Sequence, residues 1–317
     1  ARDVTLILDQ IKSQNKAPHR KMKAMQDSHP GNQITRRRFI QRASVAAGAI
    51  GSLGAGAGSL LADTRKASIK KYGGFRMGIQ SYSLRAFGVE GALEKIQALP
   101  LHWVEFFRGH YPVTPDKNKI KAMSTLLAKH DLSISAHGVQ SFGKDEKANR
   151  NMFLFAKWAG IKNISANPSV ESFAQLHDLV QEFDIRIAIH NHGPDALYDK
   201  AQQTLDAVQK WDKRIGFCAD LGHYIRSGED PVSVVNLLGG RLYGVHLKDF
   251  AEQKKKTHGV ILGKGRLDVE GVFKALRKVK FPSDGALSLE YEENKDDPIA
   301  EIKECLDVAA KAARRSA

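Results

Sequence analysis

Eight short apolar runs recur along the chain from residue 75 onward: 75–83, 101–107, 132–138, 161–168, 185–191, 214–222, 241–249 and 285–292. Amphipathic stretches of helical period separate most of them, among them 91–99, 118–130, 172–183, 230–239 and 268–279. Near-continuous apolar strands alternating with helices predict a parallel sheet covered on both faces. Eight such units in roughly 250 residues predict an α/β chain closed as a (β/α)8 TIM barrel. The runner-up is an open doubly wound sheet, but "QSYSLRAFG" after the first run contains no GxGxxG phosphate loop.

The barrel reading locates the chemistry, because catalytic groups of this architecture stand at the C-terminal ends of the strands. Polar residues end almost every run: Gln80 and Tyr82, Glu105, His137, Asn167, His190 and His192, Asp220 and His223, His246 with Lys248 and Asp249, Glu290 and Glu292. So many histidines and carboxylates on one rim are hard to explain by packing, since unpaired buried charge is costly.

Charge changes the picture little. The net charge is +14, and residues 1–62 supply half of it through ten Lys/Arg against three Asp. The remainder is only mildly basic, which does not argue for a nucleic-acid partner. Two cysteines, Cys218 and Cys305, are too few for a disulfide framework and read as apolar filler. The segment "TRRRFIQ" (35–41), followed by the Ala/Gly-rich stretch 42–62, resembles a twin-arginine export signal with Arg36 and Arg37 as the pair. The stretch is too glycine-rich for a stable membrane span. The expected organisation is a largely unstructured leader and linker over 1–65 and a barrel domain over 66–317. The expected location is the bacterial periplasm, reached through the twin-arginine export machinery, with Met25 the more usual start.

Four motifs in order, "ADLGH" (219–223), "GVHLKD" (244–249), "LGKGRLD" (262–268) and "LSLEYE" (287–292), resemble the xylose isomerase-like TIM barrel superfamily of sugar phosphate isomerases and epimerases. The resemblance covers roughly 75–310. It implies one divalent ion held at the ends of strands five to eight, here by His190, Asp220, His246 and Glu290. Relatives carry a Glu where this chain has His190, so His190 and His192 stay alternatives as the strand-five ligand. Two imidazoles and two carboxylates suit Mn, Zn, Co or Fe better than Mg.

The implied chemistry is proton abstraction next to a carbonyl with a metal-stabilised enediolate. Glu290, His192 and Lys248 are the expected catalytic groups. His137, His223, Arg266, Glu105 and Glu292 are expected at the substrate. A 3-keto-glycoside lyase or hydratase on the same site is the alternative. An endonuclease IV-type nuclease would need a histidine on strand two and the missing strand-five Glu. A non-catalytic sugar-binding barrel would need no ligand set. The partner is a small carbohydrate, and homo-oligomerisation is left open.

Overall fold

The computed structural model describes residues 62–317, and the leader expected over 1–65 falls almost wholly outside them. Residues 62–71 form helix α1. Arg65, within it, ties to Asp131 and to Ser133 Oγ. No helix among the described residues is long and apolar enough to cross a membrane.

Eight parallel strands close into a barrel. They are β1 (Met77–Gln80), β2 (Trp103–Phe106), β3 (Ser133–Phe142), β4 (Asn163–Pro168), β5 (Arg186–His190), β6 (Ile215–Asp220), β7 (Leu242–Leu247) and β10 (Ala286–Leu289). Each pairs with its sequence neighbours, and β10 pairs with β1 to close the ring. A two-residue antiparallel ladder, β8 (Asp249–Phe250) with β9 (Gly259–Val260), stands beyond the end of β7.

Apolar side chains explain the strands. Ile79, Val104, Ile164, Ile187, Phe217, Val245 and Leu289 are buried almost completely, between the barrel interior and the helical layer. The helices α2 (Val89–Gln97), α3 (Lys117–Lys129), α4 (Glu146–Ala159), α5 (Phe173–Phe183), α6 (Ala201–Val208), α7 (Leu221–Arg226), α8 (Pro231–Leu238), α9 (Val269–Lys278) and α10 (Ile299–Arg315) cover the outside. Aspartates start several of them. Asp116, Asp145, Asp230 and Asp268 each accept a backbone N–H from the first turn of α3, α4, α8 and α9. Both cysteines are free and buried, Cys218 with its Sγ within 4.8 Å of ligand atoms of Glu105 and His246.

One boundary differs from the sequence expectation in a way that matters. Strand β3 continues to Phe142, four residues past the expected end at 138. His137 therefore sits in mid-strand rather than at the strand's mouth.

Candidate metal centre

The site is assembled from strand ends. Strand β6 ends at Asp220, which also caps α7 by accepting the His223 N–H on Oδ1 at 2.8 Å. That leaves Oδ2 turned to the barrel mouth. Asn191, the residue between the two histidines of "HNH", fixes this geometry from the neighbouring strand. Its Oδ1 accepts the Asp220 N–H at 2.8 Å and its Nδ2 donates to the Asp220 carbonyl at 3.0 Å.

His190, Asp220, His246 and Glu290 are all buried, and each offers a ligand atom within 4.8 Å of the others. His246 Nδ1 lies 3.0 Å from Glu290 Oε2, 3.1 Å from His190 Nε2 and 3.8 Å from Asp220 Oδ2. His190 Nε2 is 3.6 Å from Asp220 Oδ2. With metal–ligand bonds of about 2.0–2.2 Å, atoms around one ion stand about 3–4 Å apart. The side chains also leave polar atoms unsatisfied. Asp220 Oδ2 makes no well-directed hydrogen bond and is held only by ion-pair contacts, Lys248 Nζ at 3.2 Å among them, and two ring nitrogens face each other where a proton can serve only one contact at a time. The donor set and its spacing fit a divalent cation of the Mn–Zn series.

Glu105 stands beneath this cluster and does not line the cavity. It is fully buried, accepts hydrogen bonds from Ser165 Oγ and Ser288 Oγ, and places Oε2 3.1 Å from His246 Nε2. A carboxylate behind the second ring nitrogen orients an imidazole whose first nitrogen binds a metal. Its expected place at the substrate is thus corrected: Glu105 supports His246 from inside the barrel.

Lys248 is buried among carboxylates. Its Nζ lies 3.0 Å from Glu290 Oε2 and 3.2 Å from Asp220 Oδ2, and it also bonds Glu292. The charges shift one another. Burial alone would raise the Glu290 carboxyl, but Lys248 and His246 outweigh it and hold it down at about 2. Asp220 is held well below the usual range, burial again being outweighed by His223 and Lys248. Burial would lower His246 and Lys248, yet the surrounding negative groups raise both well above their ordinary values.

Above the cluster opens a cavity of about 310 Å³, lined by Gln80, Tyr82, Phe107, Arg108, Gly138, Val139, His190, His192, His223, Lys248, Glu290 and Glu292. His192 stands at the exposed rim with its ring 4.6 Å from that of His190. His223 Nδ1 faces Arg226 Nη1 at 3.2 Å, and its Nε2 points toward Asp220 Oδ2 at 3.9 Å. Phe107 belongs to the cavity wall against Tyr82, whereas Trp103 and Phe106 are core. A larger depression, about 750 Å³, opens at the opposite end of the barrel. It contains none of the site residues expected from sequence, and several of its charges pair among themselves, as in Arg186–Asp284 and Arg214–Asp212.

Two further expectations are corrected. His137 is fully buried, with Nε2 on the Tyr111 carbonyl, Nδ1 accepting from Gln140, and its ring against Tyr111 and Phe155. It packs in the helical layer and not at the substrate. Arg266 is exposed and absent from the cavity lining, with its backbone N–H on Asp249. Arg108 escaped the sequence reading. A cation two residues past the end of β2, in "WVEFFRGH", was the signal that could have found it.

Residues 166–312 match the xylose isomerase-like TIM barrel family. The described residues close into an eight-stranded parallel barrel, and their C-terminal part is similar to that family. Over 135 residues, 38% of this barrel's chain, it is 24% identical to inosose dehydratase of Lacticaseibacillus casei, and the match spans only 45% of that relative's length. A solved structure of a protein from Parabacteroides distasonis is 25% identical, with a TM-score of 0.58, covering 74% of this chain and 97% of the other. An L-ribulose 3-epimerase shares the fold at 16% identity and a TM-score of 0.59, over 76% and 96% of the two chains. So does IOLI protein, solved with a binding zinc atom, at 15% identity and 0.58, again over 76% and 96%.

Proposed function

We propose that this xylose isomerase-like barrel is a divalent-metal-dependent enzyme that acts on carbohydrate by removing a proton next to a carbonyl. An isomerase or epimerase outcome is the first reading. Elimination, as in a dehydratase or a 3-keto-glycoside lyase, begins with the same step and is the second. The observation that carries the proposal is the convergence of His190, Asp220, His246 and Glu290, all buried, beneath a walled cavity. The epimerase and dehydratase names among the similar proteins support the reaction class, and the zinc of one neighbour supports the metal.

A bound divalent ion would polarise a carbonyl or adjacent hydroxyl of the substrate. The remaining work falls to the chain. Glu290 presents an ionised carboxylate to the cavity as the proton acceptor, while Lys248 and His246, which hold it low, keep it charged at the expense of basicity. Across the cavity, His192 and His223 offer imidazoles that can take or return a proton on the other side of the sugar. Lys248 offers an ammonium for the oxygen on which charge develops. Tyr82 and Phe107 form an apolar wall against which a sugar ring can lie. Export through the twin-arginine route stays part of the proposal on the strength of Arg36 and Arg37.

The test is an assay of the purified chain on ketoses, inososes and 3-keto-glycosides with Mn, Zn, Co or Fe supplied. His246→Ala should cut turnover by at least about a thousandfold, with a near-native circular dichroism spectrum. Full activity in that variant would remove the assignment.

A further inference from the structure

The loop between β9 and α9, "LGKGRLD", carries the Arg266 expected at the substrate and glycines that would let its backbone approach a ligand. It is the loop that follows the seventh barrel strand, the region where barrels of this kind often hold a phosphate. Its backbone does form an anion nest, but the nest is filled from within. Asp249 Oδ2 accepts the N–H groups of Gly263 and Gly265 at 2.9 and 3.0 Å. Its Oδ1 accepts those of Arg266 and Leu267 at 2.8 and 2.9 Å. Four donors converge on one carboxylate, the kind of cradle that backbone amides offer a phosphate or carboxylate. Gly265 is required for this closeness, since a Cβ there would fall 2.5 Å from Asp249 Oδ1.

Asp249 is 2% exposed. No cation pairs with it among the described residues. Its carboxylate stands in the wall of a side cavity of about 280 Å³ that shares His223, Lys248, Glu290 and Glu292 with the main cavity. A phosphate group entering that lobe meets the carboxylates of Asp249, Glu290, Glu292 and Glu293 against the cations of Arg226 and Lys248, and amides that are already engaged.

We propose that Asp249 is a specificity-determining residue: it occupies the anion nest of the seventh loop, so that the site takes a sugar without phosphate and rejects its phosphate monoester. This rests on the carbohydrate reading given above. The chemistry is that of self-occupation. A like charge at the loop raises the free energy of the phosphorylated ligand only, and the loop's N–H groups gain nothing by exchanging one oxyanion for another.

Two measurements decide it. The first titrates the metal-supplemented wild-type chain with neutral hexoses and with their 6-phosphates. The neutral sugar should bind at least about tenfold more tightly, and a preference for the phosphate would overturn the proposal. The second compares thermal unfolding of wild type and Asp249→Ala with and without inorganic phosphate. With the plug removed, phosphate at about ten times its dissociation constant should raise the midpoint of the variant by about 3–5 °C, leaving wild type within about 1 °C. An equal shift in both proteins, or none in a folded variant, would overturn the proposal. If Asp249→Ala does not fold, the sugar titration decides alone. If no carbohydrate of either form binds, the carbohydrate reading fails, and the phosphate comparison alone upholds or overturns the filled nest.

Discussion

Asp220 divides its two oxygens between two tasks, Oδ1 capping α7 and Oδ2 facing the candidate ligands. Asn191 clamps its backbone from the next strand. This sets the two imidazoles of "HNH" apart. The strand stops at His190, so the chain turns at Asn191, and His192 rises to the rim instead of following two residues along the same face. Spacing in sequence could not separate the two imidazoles, because their roles depend on where the strand ends. Glu105 belongs to the same scale. With Ser165 and Ser288 bonded to it, its carboxylate is held against His246 Nε2. Glu105→Gln should weaken metal binding by about 10–100-fold, read by competition with a chelator, while leaving the folded spectrum unchanged. His137 makes a different prediction. Burial holds its imidazole down at about 4, against an ordinary value of 6.5. Its neutral form therefore stabilises the fold fully above pH 6.5, and that contribution is lost as the pH falls from 6.5 toward 4. Denaturant titrations at several pH values should show a smaller loss over that window in His137→Phe than in wild type. An identical slope would contradict the assignment of a neutral, packed His137.

At the scale of elements, the caps and strands account for the barrel's regularity. Asp230 accepts the Ser233 N–H at the start of α8, with Pro231 at the first helical position. Asp230→Ala should cost about 1 kcal/mol, measured by chemical denaturation, with no change in metal content. The strands were legible because most of them are largely apolar, and burial in a parallel sheet leaves short runs rich in Val, Ile, Leu and Phe between helical stretches. The ends were less so. Strand β3 runs on through "GVQSF" because Gln140 and Phe142 pair with Ala166 and Pro168 of β4, a tertiary fact without a local signature. The β8–β9 ladder was not legible either: two residue pairs are too few to show a period, and the loop beyond it is tied down by one buried carboxylate, Asp249.

At the scale of the whole molecule, the barrel turns separated sequence positions into one site. Residues 190, 220, 246 and 290 meet because four strands in sequence order end on the same rim. The four candidate ligands came from the resemblance of ordered motifs, whereas the carboxylate of Glu105 behind His246 and the cavity-lining Arg108 depended on which way each side chain is turned. Half of the net +14 lies in residues 1–62, so the described barrel presents an only mildly basic body around an acidic, histidine-rich mouth. The central claim is that these four side chains hold a single divalent ion. Elemental analysis of wild type and Glu290→Gln, purified side by side without chelator, tests it most directly. The account predicts close to one transition-metal ion per wild-type chain and a large loss in the variant. A wild-type chain without metal, or equal content in both proteins, would contradict it.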